Sequence, residues 1–352
     1  MSRKLLSYTA IGLILGSTAI ADVPKVAVDI APVHSLVSRV MEGVGSPKLI
    51  IPAGASPHEY SLRPSEAKSL QDADMVIWMG EDLAPWMENS IETLSKNAEV
   101  ITLLEESDTK LLDFREGALF EEHDHGDHDD HDDHDDHDDH DDHDDHDDHD
   151  DHDDHDDHDD HDKDHDDHDD HDDHGDHDGH AHGEHDPHAW LSIENAQTWL
   201  NLVAGKLSAA DPDNAGVYFA NAAAAREEIN DLVKEVNSIL EPVRGRNFVV
   251  FHDAYQYFET SFDFPAAGAI SLGDATDPSA ARIAEIQDRI KDEGINCVLS
   301  EPQYNANLVA TVLSGTDAKT GVIDPLGLGL ESGSKLYGDL IRNMAKALAG
   351  CL

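Results

Sequence analysis

Three histidines and one aspartate have the residue types and positions of a metal site. His58 lies in a loop after a predicted strand, and His188 precedes a predicted helix. His252 ends a predicted strand, and Asp324 directly follows another. Neutral imidazoles suit borderline metals such as zinc, and a carboxylate or a water can complete the tetrahedron. The sequence therefore predicts a site with three histidine ligands, in which Asp324 binds the metal directly or through a water.

Each of these residues also has an ordinary structural interpretation. A single histidine at a strand end is more often hydrogen-bonded than metal-bound, and Asp324 could simply cap the turn that follows it. The case for metal binding is stronger for the histidines as a set, because only four of the 26 histidines lie outside residues 123–187. The fourth, His34, falls in the first turn of a predicted helix and is interpreted as structural. Glu59 and Asp253 adjoin two of the ligands and are expected to hydrogen-bond to them.

The elements that position these residues alternate between strands and helices. Before the histidine-rich region, strands are predicted at 25–30, 48–51, 75–79 and 100–103, with helices at 33–44, 64–72 and 83–95. After it, helices are predicted at 192–209, 214–240, 255–261, 280–293, 308–314 and 335–349, with strands at 248–251, 296–299 and 321–323. This rhythm predicts an α/β fold of two lobes, each a mainly parallel sheet flanked by helices, bridged by one long helix. Since such sheets bind ligands at the carboxyl ends of their strands, we expect the metal in the cleft between the lobes.

The first residues have the three parts of an export signal. Arg3 and Lys4 precede an apolar stretch over 5–20, and Ala19-Ile20-Ala21 matches a cleavage site. No later segment is apolar enough to cross a bilayer, so we expect a protein exported to an oxidising compartment. The predicted domains are a signal peptide at 1–21, an N-terminal lobe at 22–211, a linking helix at 212–244 and a C-terminal lobe at 245–352.

Residues 123–187 form a low-complexity insert in the N-terminal lobe. The insert holds 22 of the 26 histidines and 36 of the 77 acidic residues, and residues 129–161 repeat the triplet Asp-Asp-His. Because the triplets have no apolar side chain to bury, the insert is expected to be disordered. An imidazole beside two carboxylates favours auxiliary metal binding over the alternative of a solvating spacer. The predicted auxiliary ligands include His123, His125, His128, His131, His177, His180, His182 and His185.

The charge and the cysteines narrow the class of protein. A formal net charge of −54 argues against nucleic acid or an anionic membrane as a partner and favours cations. Cys297 and Cys351 are the only two cysteines, and an even pair in an exported protein is most simply a disulfide. Two free thiols are the alternative.

Five motifs together resemble the ZnuA-type zinc-binding components of bacterial ABC importers, within the cluster A-I substrate-binding proteins. The motifs are Ser56-Pro57-His58-Glu59-Tyr60, Asp186-Pro187-His188-Ala189-Trp190, Phe251-His252-Asp253-Ala254-Tyr255, Ser300-Glu301-Pro302-Gln303 and Asp324-Pro325-Leu326-Gly327. The resemblance spans the mature chain and implies zinc ligands at His58, His188 and His252. Manganese-type relatives have a carboxylate in place of His252. Some zinc members have a glutamate ligand where this chain has Pro57, so a water or Asp324 must complete the tetrahedron here.

The resemblance implies a periplasmic, monomeric, high-affinity Zn²⁺ receptor that delivers its ion to a membrane permease and is not an enzyme. The insert would then act as an auxiliary zinc site. One alternative is a zinc buffer that works mainly through the insert. Another is a three-histidine zinc hydrolase, although the sequence contains no recognised hydrolase or phosphate-binding motif.

Overall fold

The computed structural model of the chain describes residues 23–115, 120, 185–271, 279–304 and 306–352. The chain divides into two compact units, residues 1–121 with 182–352 and residues 122–181, and every described residue belongs to the first. The predicted signal peptide and the insert histidines from His123 to His182 lie outside the described residues. Among the described helices, none has the length and apolar character needed to cross a membrane.

The N-terminal sheet has four parallel strands in the order β2-β1-β3-β4. Its central strands, β1 (Val26–Val28) and β3 (Met75–Trp78), are buried along their whole length, as expected for a parallel sheet covered on both faces. The flanking strands are β2 (Lys48–Leu49) and β4 (Glu99–Thr102). The carboxyl ends of the strands, where ligands bind in such sheets, therefore lie along one edge.

The C-terminal sheet repeats this arrangement in the order β6-β5-β7-β8, again with parallel strands. The strands are β5 (Phe248–His252), β6 (Gly268–Ser271), β7 (Cys297–Ser300) and β8 (Lys319–Val322). The strand β6 is not predicted from the sequence, because Gly and Ala are depleted in strands. The register pairs His252, the last residue of β5, with Ser271 at the end of β6.

Nine helices are assigned among the described residues. They are α1 (Ala31–Val40), α2 (Pro64–Gln71), α3 (Pro85–Leu94), α4 (Ile193–Ala210), α5 (Ala215–Leu240), α6 (Gln256–Phe262), α7 (Ala280–Asp292), α8 (Ala306–Leu313) and α9 (Leu336–Cys351). Ser192 caps α4, because its side chain accepts the backbone N–H of Asn195 at 3.2 Å. The two parallel sheets, their flanking helices and one long helix confirm the predicted fold class.

The long helix α5 has 26 residues, which corresponds to a length of about 39 Å. Its buried residues recur every three or four positions and form one apolar face. They are Tyr218, Ala222, Ala225, Ile229, Leu232, Val236 and Leu240. Through this helix and its packing against α4, α1 and α9, the two sheets share one extended core. The lobe boundaries at 211 and 245 stay a prediction.

The last helix, α9, packs on elements that precede the insert as well as on the C-terminal sheet. The backbone N–H of Tyr337 donates to Oγ of Ser35 in α1 at 2.9 Å. At its other end, Cys351 forms the predicted disulfide with Cys297 of β7, and the two Cα atoms are 5.7 Å apart. Gly321 of β8 lies against this bond, since an added Cβ there would come within 3.1 Å of the Cβ of Cys351. The last helix is thus attached both to α1 and to the C-terminal sheet.

Candidate metal centre

The structure brings His58, His188 and His252 together, although they are far apart in the sequence. The centre of the His188 ring is 5.4 Å from that of His58 and 5.2 Å from that of His252. The Nε2 atoms of His188 and His252 are 3.4 Å apart. Two nitrogens bound to one tetrahedral zinc at about 2.0–2.1 Å must be separated by about 3.4 Å. This pair therefore already has the spacing of two zinc ligands.

The three histidines border a small cavity whose other walls are largely apolar. Its volume is about 10 Å³, roughly that of one water molecule. Trp190, Tyr304, Pro325 and Leu326 contribute to the walls. No group of three or more His, Cys, Asp or Glu side chains in the described part of the chain already forms a complete ligand cluster. The cavity has the size for a single ion and is not yet a closed coordination shell.

The loop between β2 and α2 carries His58. Trp86 of α3 donates its indole N–H to the carbonyl of Pro57 at 2.8 Å, and this fixes the backbone just before His58. The backbone N–H of His58 in turn donates to Oγ of Ser56 at 3.3 Å. Glu59, the next residue, is exposed, in contrast to the half-buried His58. The loop is therefore anchored next to the histidine by a side chain of another element.

Asp186 fixes the orientation of His188. One oxygen of its carboxylate accepts the backbone N–H of His188 at 2.9 Å and ring Nδ1 at 2.7 Å. Because Nδ1 donates to a carboxylate, the lone pair of His188 is on Nε2, the atom that faces His252. Asp186 is almost fully buried, and its position two residues before His188 lets it hold both the backbone and the ring.

Glu301 has the same role for His252. Glu301 directly follows β7, the neighbour of β5, and its Oε1 accepts Nδ1 of His252 at 2.6 Å. Burial raises the pKa of Glu301 to about 8 and lowers the pKa of His252 to about 3. In the metal-free site a neutral imidazole thus contacts a largely protonated carboxyl group at neutral pH. The connection after β5 leads to β6 on one side of the sheet, and the connection after β7 leads to β8 on the other side. The pair lies at this switch in strand order, which is the usual ligand position in such sheets.

Asp324 follows β8 and is half-buried. Its Oδ1 accepts the backbone N–H of Leu326 at 3.0 Å and the side-chain amide of Gln303 at 2.9 Å. The first of these bonds is the turn cap that the sequence analysis left open as an alternative. A direct or water-mediated contact of Asp324 with a metal stays a prediction.

Two other selected residues have partners outside the cavity. The carboxylate of Asp253 binds the guanidinium of Arg115, with Nε donating to Oδ2 at 3.0 Å. Burial raises the pKa of Asp253 to about 6, and Arg115 opposes this shift. His34, as predicted, is a buried helix residue, and its Nε2 is 3.2 Å from the carbonyl oxygen of Pro47.

The sequence analysis did not select the two carboxylates that contact the histidines. For Asp186 a signal was present, because an acidic residue two positions before a histidine can reach its ring. Glu301 lies 49 residues from His252, and only the order of strands in the sheet brings them together. Asp186 and Glu301 belong to two of the five motifs, but no role is predicted for them from the sequence.

Two segments that flank the triplet repeats in the sequence meet in the described part of the fold. Asp113 and His185 form an antiparallel bridge, and Nδ1 of His185 is 2.9 Å from Oδ1 of Asp113. Beside them, the backbone N–H of Asp186 donates to the carbonyl of Leu112 at 2.8 Å. His185 is the one predicted auxiliary ligand among the described residues. The stem formed by residues 112–115 and 185–186 therefore ends two residues before His188.

The chain is similar to known proteins over nearly its whole length. The chain is 46% identical to the high-affinity zinc uptake system protein ZnuA of Paracoccus denitrificans, over 96% of this chain and 95% of that protein. It is 45% identical to the Brucella abortus protein of the same name, over 96% and 94%. The identity to the Haemophilus influenzae protein is 35%, over 99% of both.

Solved structures share the fold. A crystal structure of ZnuA matches with a TM-score of 0.66 at 18% identity, covering 94% of this chain and 99% of that one. The Zn(II)-bound ZnuA-like domain of Streptococcus pneumoniae AdcA matches with a TM-score of 0.61 at 22% identity, covering 93% and 98%. The family described as zinc-uptake complex component A, periplasmic, matches residues 26–351. This chain therefore belongs to the ZnuA family, whose members are periplasmic components of zinc uptake and not enzymes.

Proposed function

We propose that this chain binds a single Zn²⁺ ion between His58, His188 and His252 and delivers it to the membrane permease of a zinc importer. The observation that carries the proposal is the 3.4 Å separation of the Nε2 atoms of His188 and His252. This separation is about that of two ligands on one tetrahedral zinc. Three neutral imidazoles favour zinc over harder, oxygen-preferring metals such as manganese.

Two buried carboxylates support a dication at this position. Asp186 and Glu301 each accept Nδ1 of one ligand histidine, so they orient the rings and make Nε2 more basic. Together, when ionised, they balance the two positive charges of the ion within a largely apolar cavity. His58, whose ring centre is 5.4 Å from that of His188, completes the protein ligands. A water or Asp324 supplies the fourth ligand, and the hydrogen bonds that Asp324 already makes favour the water.

The insert acts as an auxiliary zinc site in this proposal. Its histidines lie among paired aspartates, and its end at His185 is three residues from His188. Zinc that binds the insert is thereby tethered to the chain that forms the cavity. We propose that the chain works as a monomer, since all three histidine ligands come from one chain.

A zinc titration under a competing chelator tests where the tight site lies. We expect the chain without residues 123–182 to bind one ion with an affinity within about threefold of the tight site in the full chain. The full chain should bind additional ions more weakly, because a flexible ligand loses entropy when it binds. No tight binding in the shortened chain would move the function into the insert and identify a zinc buffer instead.

Zinc binding to the shortened chain should release about one proton at pH 7, and Glu301 should be its source. Burial holds the pKa of Glu301 at about 8 without metal, and a bound dication favours the carboxylate. Below pH 8, Glu301 must lose its proton before its carboxylate can stabilise the bound ion. Zinc affinity should therefore rise about tenfold per pH unit up to about pH 8. Calorimetry in buffers of different ionisation enthalpy counts the protons.

Glu301→Gln should reduce this proton count to near zero and flatten the pH dependence of the affinity. Asp29→Asn is the matched control, because Asp29 is also buried, its pKa is raised to about 7, and it directly follows β1 of the N-terminal sheet. The control should leave the proton count unchanged. An unaltered count in Glu301→Gln would assign the proton to another group.

A further inference from the structure

Arg115 connects the segment that leads into the insert to the segment that carries His252. Its Nη1 donates to Oε2 of Glu259 at 2.8 Å, and its Nε donates to Oδ2 of Asp253 at 3.0 Å. Its Nη2 donates to the second oxygen of each carboxylate, so both contacts are bidentate. The guanidinium also lies over the ring of Phe120, with Cζ 3.5 Å from the ring centre.

This cluster differs from an ordinary surface ion pair in its burial. The side chains of Asp253 and Glu259 are 4% and 6% exposed, and that of Arg115 is 16% exposed. Two buried carboxylates side by side require a cation, and the planar fork of an arginine satisfies both in one fixed geometry. The contact therefore determines where the two segments lie relative to each other.

Both segments lead directly to a ligand histidine. On one side, Asp253 is the residue after His252, and a tight turn closes there because the backbone N–H of Ala254 donates to the carbonyl of His252 at 2.9 Å. On the other side, Leu112 lies three residues before Arg115, and its carbonyl accepts the backbone N–H of Asp186 at 2.8 Å.

Asp186 in turn holds the ring of His188. Hydrogen bonds and two short backbone stretches, 112–115 and 252–253, therefore join His188 to His252 through Arg115.

Tyr257 of α6 makes a second, uncharged contact between the same segments. Its hydroxyl accepts the backbone N–H of Leu112 at 2.9 Å and donates to the carbonyl of Asp186 at 3.0 Å. Tyr257 and Glu259 are on the same short helix, so α6 is attached to the stem of the insert at two places.

We propose that Arg115 is a positioning residue that holds the segments of His188 and His252 together and thereby slows the release of zinc. This inference rests on the proposed function of the cavity. The ion is released only when its bonds to both Nε2 atoms have broken, and the contacts of Arg115 keep the two imidazoles close enough for each to rebind the ion before it escapes.

A purely structural role for Arg115 would lower the stability of the fold without changing the release rate of the folded protein. The measurement is therefore zinc dissociation from the full chain into excess chelator, followed by tryptophan fluorescence. Trp190 reports on the site because its ring centre is 5.2 Å from that of His188. Circular dichroism and thermal unfolding of each variant establish that the fold is intact.

The test variant is Arg115→Lys, which retains the charge but loses the bidentate fork. Arg39→Lys is the matched control, because Arg39 of α1 also binds two carboxylates, Glu228 and Glu42, and its side chain is 15% exposed. We expect Arg115→Lys to accelerate zinc release about tenfold, since a lysine ammonium cannot keep the two bidentate contacts of the guanidinium. Arg39→Lys should remain within about twofold of the unmodified chain.

A second variant keeps the test decisive if Arg115→Lys does not fold. The triple change Arg115→Met, Asp253→Asn and Glu259→Gln removes the cation together with both buried charges, and should also release zinc faster. Unchanged release in either folded variant, or equal acceleration in Arg39→Lys, would overturn the positioning role. A separate outcome is that no phase of zinc release from the unmodified chain depends on His252. In that case the proposed function itself fails, and not only the positioning role of Arg115.

Discussion

His252→Ala should lower the zinc affinity of the tight site by a factor of about 100–1000. Structural zinc sites with four ligands bind with roughly 10–16 kcal/mol, so each ligand contributes about 3 kcal/mol. The change also leaves the buried carboxyl group of Glu301 without the imidazole that now contacts it at 2.6 Å. His188→Ala should have a similar effect through Asp186. The measurement is a chelator-competition titration of the chain without residues 123–182.

His34→Gln is the matched control for these two changes. His34 is buried like the ligands, but it lies in α1 and its Nε2 contacts the carbonyl of Pro47. The substitution should alter the zinc affinity by less than about threefold, even if it lowers the melting temperature. A loss of less than tenfold in both ligand variants would contradict the three-histidine site.

Cys297→Ser with Cys351→Ser should lower the free energy of unfolding of the zinc-free protein by about 4 kcal/mol. The bond closes a loop with a sequence separation of 54 residues, and a loop of that length restricts the unfolded chain by about this amount. Both cysteines are buried, so the serine hydroxyls add a further small cost. Thermal unfolding with and without a reductant measures the effect, which should be a decrease of about 10 °C in Tm.

The comparison of oxidised and reduced protein provides the control within one chain. Reductant should lower the Tm of the unmodified protein and leave that of the double serine variant unchanged. Zinc affinity should change by less than about threefold, because the bond joins β7 to α9 away from the cavity. If complete reduction of the disulfide left the Tm of the unmodified protein unchanged, the prediction would be wrong.

The sequence predicted most of the fold because its strongest signals are local. The central strands β1, β3, β5 and β7 are runs of apolar residues between turn signals, and α5 has the length that its uninterrupted helical pattern indicates. The strand β6 was missed because Gly268, Ala269 and Ser271 carry no local preference for a strand. Pairing with β5 alone makes these residues extended.

The sequence predicted the histidines of the site but not their partners. His58, His188 and His252 were recognisable because so few histidines lie outside the insert. The link from Glu301 to His252 depends on which strands are neighbours, and Arg115 lies 138 residues from Asp253. No local sequence pattern encodes contacts between residues so far apart in the chain, so only the folded structure shows them. Asp253 was selected for its place beside His252, yet its carboxylate faces the guanidinium.

The bridge between Asp113 and His185 has a consequence for how this protein can evolve. A repeated DNA sequence readily gains or loses whole units during replication, and each unit here encodes one Asp-Asp-His triplet. Asp113 and His185, which flank the triplets in the sequence, are paired in the described part of the fold, so a change in triplet number need not alter the elements that form the cavity. Under the proposed auxiliary role of the insert, selection can therefore adjust how much metal it holds independently of how tightly the cavity binds zinc. Lineages that meet different zinc supplies would then be expected to differ first in triplet number.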